Sequence, residues 1–138
     1  MSIDLAPGAV LPERVFTVTR ADLVAYAVAS GDRNPIHQDE EVAISVGLPG
    51  VIAHGMYTLA LVGTAVSTWT DGAEVVELGS KFTSPVVVPA DGGAEVVVAG
   101  TVKAVADGLV TLALEVTCEG QKVLGMPRAV VRETAVRA

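Results

Sequence analysis

The pattern of polar and apolar residues near the start of the chain predicts a strand followed by a helix. Residues 13–18 have the pattern of a short strand. Thr19 is a good N-cap residue, and an acidic residue three positions later completes a variant of the capping box. The pattern therefore predicts an amphipathic helix over residues 20–30 that ends at Gly31.

The middle of the chain is almost uncharged. Asp39 can cap a short helix over about residues 40–46, and no Asp, Glu, Lys or Arg lies between Glu41 and Asp71. The apolar part, roughly Gly55 to Trp69, falls short of the ~20 residues that a membrane span needs, and the pattern predicts a helix from about His54 to Thr68. A helix that is apolar on every side is instead expected to be enclosed by protein.

The second half of the chain is rich in valine and threonine and predicts four strands. Asp107-Gly108 and Glu119-Gly120 are typical of tight hairpins, so the predicted sheet is antiparallel. A curved sheet wrapped around the apolar helix covers the apolar faces of both, which predicts an α+β fold in one domain of residues 1–138. One copy leaves sheet edges and part of the helix exposed, so a dimer is expected. The strands are predicted over residues 74–88, 94–106, 109–118 and 122–133.

Charge and cysteine content restrict the function and the compartment. The formal net charge is −7, and the nine Lys and Arg residues are scattered, which argues against a nucleic-acid partner. Cys118 is the only cysteine, so no internal disulfide can form, and a reducing cytoplasm is expected. Its place in an alternating apolar run predicts a buried thiol. The first twenty residues lack a basic start and an apolar core, so no signal peptide is expected.

Asp32 and His37 are the first candidates for chemistry. They lie at the two ends of a polar loop whose backbone is restricted by Pro35. A carboxylate and an imidazole that face a common point can bind one water molecule and pass protons at neutral pH. The same residues also fit a plain turn followed by a surface histidine, and local composition leaves both interpretations open.

His54 and Gly55 lie where the apolar helix is predicted to begin. Backbone N–H groups at a helix start are unpaired and suit an oxyanion, and glycine lets a ligand approach closely. The alternative is that Gly55 serves packing and His54 is a polar cap. The spacing of the two histidines does not match a metal site, and no glycine-rich phosphate loop is present. We therefore expect neither a metal nor a cofactor.

Three segments resemble the MaoC-like family of (R)-specific hydratases and dehydratases, which have the hot-dog fold. The resemblance extends from about Leu11 to Val131, and it is particularly clear to the catalytic B subunits of mycobacterial-type (3R)-hydroxyacyl carrier-protein dehydratases. The segments are Tyr26 with Ser30-Gly31-Asp32-Arg33-Asn34-Pro35-Ile36-His37-Gln38-Asp39, then Ala53-His54-Gly55-Met56, then Lys81-Phe82-Thr83-Ser84-Pro85-Val86.

The resemblance implies a role for each matching residue. Asp32 and His37 would be the catalytic acid–base pair, and the Gly55 N–H would bind the thioester carbonyl. Asn34 and His54 would support the loop. Some hydratases of the family have a serine later on the central helix, where this chain has Gly63, so a serine that supports the loop is not expected here.

The implied reaction is reversible syn addition of water to a trans-2-enoyl thioester of fatty-acid metabolism, which gives the (R)-3-hydroxyacyl product. An (R)-specific enoyl-CoA hydratase of β-oxidation or of polyester precursor supply is the alternative. A non-catalytic hot-dog subunit that binds acyl chains is less compatible with the Asp/His pair. A thioesterase would normally place an acid on the central helix, and this helix has none. The sequence leaves several points open. These are the carrier, which is acyl carrier protein or coenzyme A, the acyl chain length, the physiological direction of the reaction, and whether the dimer is a homodimer or a heterodimer.

Overall fold

The helices and strands of the computed structural model lie within residues 4–133, which are the residues that the structure describes. No helix in this range is long and apolar enough to cross a membrane. In chain order the elements are β1 (Val10–Val18), α1 (Arg20–Ser30), a 3₁₀ turn (Pro35–His37), α2 (Glu40–Ser45), α3 (Gly55–Trp69), β2 (Val75–Phe82), β3 (Ala94–Ala106), β4 (Leu109–Cys118), β5 (Gln121–Lys122) and β6 (Leu124–Arg132).

The strands form one antiparallel sheet that curves around α3. Its strand order is β1-β3-β4-β6-β2, with the short β5 beside β4. The two end strands of this order, β1 and β2, both contact α3. Because opposite ends of the sheet reach the same helix, the sheet must curve around that helix. The predicted α+β hot-dog architecture is therefore confirmed.

The turns between the later strands have the backbone that their sequences predict. Asp107 and Gly108 have φ values of 55° and 77°, and Glu119 and Gly120 have 53° and 76°. Two successive residues in the left-handed region match the twist of an antiparallel hairpin, and Asp-Gly tolerates this conformation well. The predicted antiparallel pairing of β3 with β4 is confirmed.

The capping residues of α1 also behave as predicted. The Thr19 N–H donates to the Asp22 carboxylate at 2.8 Å, and the Asp22 N–H donates to the Thr19 hydroxyl at 3.2 Å. Gly31 has a φ of 81°, and its N–H donates to the Ala27 carbonyl at 3.0 Å. Because both ends of α1 are fixed by local bonds, the loop that follows starts from a defined point.

The predicted single strand over residues 74–88 is wrong, because β2 ends at Phe82. Pro85 has no N–H for a strand ladder, so it disfavours continuation of the sheet. Residues 86–88 instead pair with the segment before α3. The Val88 N–H donates to the Val51 carbonyl, and the Ala53 N–H donates to the Val86 carbonyl, each at 2.9 Å. This pairing fixes where α3 begins.

The last predicted strand, residues 122–133, is likewise divided. The Val123 N–H bonds back to the Val116 carbonyl at 3.0 Å and separates β5 from β6. Within β6, the pairing with β2 shifts register between Gly79 and Lys81, and Met126 has a φ of 48°. An extra residue in one strand of a pair bends that strand locally.

The apolar helix α3 is covered by this chain on one side only, so a single copy leaves part of the helix exposed, as predicted. Val62, Ala65, Val66 and Trp69 are buried against the sheet. The opposite face, which starts at Met56 (58% exposed), is open. That face consists of small, apolar and hydroxyl-bearing residues, so hydropathy alone could not separate the two faces.

Cys118 is buried in the core, as predicted. Burial, and then the neighbouring Glu119 carboxylate, raise the pKa of the Cys118 thiol above its ordinary value. A thiol with a raised pKa stays protonated at neutral pH and is a poor nucleophile. The structure therefore gives this cysteine a packing role.

Trp69 anchors the C-terminal end of α3 to β1, and its loss should be costly. Its indole N–H donates to the Pro12 carbonyl at 2.7 Å, and the side chain is fully buried. We expect Trp69→Ala to lower the free energy of unfolding by about 3–5 kcal/mol, measured by urea denaturation. Ser67→Ala, at an exposed position of the same helix, should change it by less than about 0.5 kcal/mol. Equal effects of both changes would contradict this role.

Candidate active site

The loop after α1 is held by local hydrogen bonds to its own side chains. The Asp32 N–H donates to the Ser30 hydroxyl at 3.1 Å, and the Asn34 N–H donates to the Asp32 carboxylate at 3.2 Å. The Asn34 side-chain oxygen in turn accepts from the Ile36 N–H at 3.2 Å and caps the 3₁₀ turn. Such local bonds let a loop keep one conformation without burial. Asn34 therefore lies where a residue that shapes the loop should lie.

His37 ends the 3₁₀ turn and is buried, which contradicts the alternative of a surface histidine. Its Nδ1 lies 2.7 Å from the Ile52 carbonyl oxygen. Because a carbonyl can only accept, Nδ1 carries the proton of this hydrogen bond. In the neutral ring, Nε2 is then the atom with a free lone pair. The ring can take up a proton at Nε2 without losing the bond that holds it.

His54 is buried between the loop and α3. Its Nε2–H donates to the Asp32 carbonyl at 3.1 Å. Its ring stacks on the His37 ring with centroids 3.8 Å apart, and the Tyr26 ring meets it edge-on at 4.8 Å. His54 therefore contacts both His37 and Asp32, although it makes no side-chain cap for α3.

The start of α3 presents backbone donors without partners. The Tyr57 and Thr58 N–H groups bond the His54 carbonyl at 3.0 and 3.2 Å. Within residues 4–133, the N–H groups of Gly55 and Met56 have no hydrogen-bond partner. They lie at the positive end of the helix dipole, where an oxyanion is stabilised. Gly55 therefore lies where an oxyanion-binding residue should lie.

A cavity of about 650 Å³ joins these groups. Its lining is mainly apolar, and the side chains of Asp32, His37 and His54 are clustered in it, an arrangement that suits a ligand with one polar head and an apolar tail. The polar lining consists of Ser30, Asp32, His37, His54, Gly55 and Thr58, and the apolar lining of Tyr26, Ile52, Ala53, Met56, Phe82, Pro85, Val86, Val123 and Leu124, with Thr83 and Ser84 completing the wall.

Asp32 is the exposed member of the site. Its side chain takes part in none of the four ion pairs found among the described residues. Nitrogen and oxygen atoms of Asp32, His37 and His54 lie within 4.8 Å of one another. Four of the five residues predicted for the site, Asp32, His37, His54 and Gly55, thus line one cavity, and Asn34 is bonded to Asp32 in the loop beside it. Sequence alone could not show that His54 contacts the loop, because 22 residues separate it from Asp32.

The same three side chains offer enough donor atoms for a metal ion, although their spacing in sequence does not match a metal site. In each imidazole, one ring nitrogen is hydrogen-bonded to a backbone carbonyl and the other is not. The lone pairs of imidazole nitrogens lie in the ring planes, and these two planes are only 23° apart. Rings stacked this closely direct their lone pairs side by side and not at a shared ion. The geometry favours packing of His54 against His37.

Phe82 is a residue of the site that sequence reasoning missed. Its ring lies so close to Gly55 that a Cβ at position 55 would be 2.9 Å from the nearest ring atom. The ring is also more than half exposed at the cavity. The signal was present in the third segment of the family resemblance, but only the folded chain places this segment over α3. The absence of a side chain at Gly55 therefore allows the Phe82 ring to pack closely, in addition to allowing a ligand to approach the backbone.

Several apolar residues of α3 near the site belong to the core or pack against it and do not form the cavity wall. Val62 is buried in the core, and Tyr57, Leu59 and Leu61 pack against it. None of them lines the cavity. These residues therefore serve packing, and the apolar wall of the cavity comes largely from residues 82–86 and from Val123 and Leu124.

Comparison with known proteins identifies the family. The family model of the MaoC-like domain matches residues 6–119. The chain belongs to the MaoC-like domain family. A solved structure titled MaoC-like dehydratase superposes on this MaoC-like domain with a TM-score of 0.90 and 36% sequence identity, and the match covers 95% of the chain and 41% of that structure.

Two relatives with described activities also match. This MaoC-like domain is 39% identical over 82 residues to 3-hydroxyacyl-thioester dehydratase X of Mycobacterium tuberculosis, which covers 59% of the chain and 29% of that protein. It is 38% identical over 85 residues to the mitochondrial 3-hydroxyacyl-[acyl-carrier-protein] dehydratase of Arabidopsis thaliana, which covers 61% of the chain and 50% of that protein. The matched segments thus span half or less of these relatives.

The contact between Gly55 and Phe82 can be tested by a pair of glycine substitutions on α3. Gly55→Ala should lower the free energy of unfolding by about 1 kcal/mol, because its Cβ overlaps the Phe82 ring. Gly63→Ala should leave it unchanged or raise it by up to about 1 kcal/mol, since its nearest neighbour is 3.6 Å away. Urea denaturation measures both. In a double-mutant cycle, Phe82→Ala should relieve the cost of Gly55→Ala; simple additivity would contradict the contact.

Proposed function

We propose that this MaoC-like domain catalyses the reversible dehydration of an (R)-3-hydroxyacyl thioester to the trans-2-enoyl thioester. The observation that carries the proposal is that Asp32, His37 and Gly55, whose N–H is unpaired, line one cavity with a mainly apolar wall. Acyl thioesters have a matching form, with polar atoms at one end of an apolar chain. The dehydratase names of both relatives support the same reaction class.

The proposed elimination needs a base, an acid and a site for negative charge. The base removes a proton from C2, the C3–oxygen bond breaks, and the acid protonates the departing hydroxyl, so that water and a C2–C3 double bond are formed. In the neutral His37 ring, Nε2 can accept a proton, and the Asp32 carboxylate can accept one or, when protonated, donate it. Either residue can therefore serve as the base, with the other as the acid.

Negative charge develops on the thioester oxygen as C2 loses its proton. The Gly55 N–H at the start of α3 is positioned to stabilise this oxygen, with the helix dipole adding to the effect. Loss of one such donor typically costs about 3 kcal/mol of transition-state stabilisation. General acid–base work by the pair contributes about another 3–5 kcal/mol.

We also propose that the active form is a dimer in the cytoplasm, with a second copy or another hot-dog chain as partner. The open face of α3 and the edge strands β1 and β2 are the surfaces that such a partner would cover. The single buried Cys118 suits a reducing compartment. Coenzyme A and acyl carrier protein both stay as candidate carriers, because both are anionic and the net charge of −7 favours neither.

Asp32→Asn and His37→Gln should each lower turnover by about 10²–10⁴-fold without unfolding the domain. The assay follows hydration of enoyl thioesters, with matched coenzyme A and carrier-protein substrates, by the chain alone and with a candidate partner. Asp39→Asn is the matched control, because asparagine can still cap α2 at this exposed position. Wild-type turnover in both loop variants would rule out the proposed pair, and thermal melts check that they are folded.

His54 should act as a positioning residue, and two substitutions separate its two contacts. His54→Gln keeps an N–H donor for the Asp32 carbonyl, and His54→Phe keeps only the ring that stacks on His37. We expect His54→Phe to fold at least as stably, since it removes a buried nitrogen without a partner, yet to lower kcat about 10–100-fold. His54→Gln should retain more of the activity. Full kcat in His54→Phe would show that the hydrogen bond to the loop is dispensable.

A further inference from the structure

Thr58 is a polar residue of the cavity with no assigned role. It lies on α3 one turn after Gly55, its side chain is only 3% exposed, and it lines the cavity beside the groups described above. A buried hydroxyl is normally hydrogen-bonded, because burial without a partner is costly. A hydrogen-bond partner is therefore expected for this hydroxyl.

The other threonines on and just after α3 bond to their own helix. The hydroxyls of Thr64, Thr68 and Thr70 donate to the carbonyls of Ala60, Thr64 and Val66 at 3.1, 3.0 and 2.8 Å. Thr58 could bond the His54 carbonyl in the same way, but within residues 4–133 its hydroxyl makes no hydrogen bond. Thr58 therefore departs from the behaviour of the other threonines of this helix.

The Thr58 hydroxyl is also open to the cavity. Among the described residues, Nδ1 of His54 is the one buried side-chain nitrogen or oxygen that is sealed from solvent without a partner. The Thr58 oxygen is not such an atom, so it can be reached from the cavity that its side chain lines. A ligand in the cavity can thus supply the missing hydrogen bond.

The position of Thr58 on α3 indicates which part of a bound ligand its hydroxyl would contact. It follows Gly55 by three residues, a rise of about 4.5 Å along the helix axis. An acyl thioester whose carbonyl oxygen lies at the Gly55 N–H places C3 two bonds from that carbonyl carbon. Beyond C3 the acyl chain has only apolar atoms. The 3-oxygen is then the one polar acyl atom left for the Thr58 hydroxyl.

We propose that the Thr58 hydroxyl binds the 3-oxygen of the substrate, that is, the hydroxyl that leaves in dehydration and the water that adds in hydration. This assignment rests on the proposed function. Thr58 exchanges no proton in the reaction; it orients the oxygen toward the Asp32–His37 pair. It makes the site prefer 3-hydroxyacyl over saturated or unsaturated acyl thioesters, because only the former offers a partner for the buried hydroxyl.

The test compares Thr58→Val with Thr58→Ser, with Thr64→Val as the control. Valine has the shape of threonine without the hydroxyl, whereas serine keeps the hydroxyl and loses a buried methyl. Thr64→Val removes a hydroxyl from the exposed face of the same helix. Each change is placed in the Asp32→Asn background to slow turnover, and calorimetry gives the Kd for an (R)-3-hydroxyacyl thioester and for the matching trans-2-enoyl thioester.

We expect Thr58→Val to weaken binding of the 3-hydroxyacyl thioester by about 3–10-fold and to leave enoyl binding unchanged. Thr58→Ser should bind both like the parent although it melts at a lower temperature, while Thr58→Val should melt at or above the parent temperature. If Thr58 had only a structural role, the less stable Thr58→Ser would bind the 3-hydroxyacyl thioester more weakly than Thr58→Val. The proposal predicts the opposite order of affinities. Thr64→Val should alter neither affinity.

Three results would overturn the assignment. Equal weakening of both ligands by Thr58→Val would place the hydroxyl at the thioester oxygen. Unchanged affinity for both ligands would show that the hydroxyl meets no substrate atom. If the wild-type chain, with its partner where one is required, neither binds nor converts either thioester, the proposed function fails and this assignment fails with it. In the first two cases, turnover by the wild-type chain leaves the proposed function intact.

Discussion

A short extended segment, Val51–Ala53, holds the parts of the site together. Along one edge it bonds to residues 86–88, through the Val51 carbonyl and the Ala53 N–H. Along the other edge, the Ile52 N–H donates to the Ile36 carbonyl, and the Ile52 carbonyl accepts from His37 Nδ1. Successive residues of an extended chain point their backbone groups to opposite sides, so three residues can join the loop, the cavity wall and the start of α3. The positions of the site residues depend on this segment.

This arrangement separates the fixed groups of the site from the accessible one. His37 and His54 are buried and held through a ring nitrogen, and the free donors of α3 belong to the backbone. Groups fixed in this way need little reorganisation when charge develops nearby. Asp32 is exposed, and its conformation depends on local bonds and on the His54 contact to its carbonyl. In the proposed reaction, the exposed carboxylate is the group that water can reach, while the imidazoles set the geometry.

Local chemistry explains how much of this could be predicted from the sequence. The capping box at Thr19, the left-handed Gly31 and the Asp107-Gly108 hairpin depend on neighbouring residues, so their patterns suffice. The end of β2 at Phe82 depends on competition for partners: residues 86–88 pair with a segment some 35 positions earlier, and no local pattern records that choice. Pro85 was the available signal, and the run of three valines that follows it, residues 86–88, obscured the break.

The same distinction holds within the site. The positions of Asp32, His37 and Gly55 followed from two short motifs, but contacts between those motifs did not. The stacking of His54 on His37 and the contact of Phe82 with Gly55 join segments that are far apart in sequence. The sequence around such residues carries no unusual pattern, so local composition does not indicate that they form contacts in the site. Their constraint is mutual: Phe82, as it is placed, leaves little room for a Cβ at position 55, and the residue at this position begins α3 and lines the cavity. Packing and the proposed chemistry therefore select the same glycine for independent reasons.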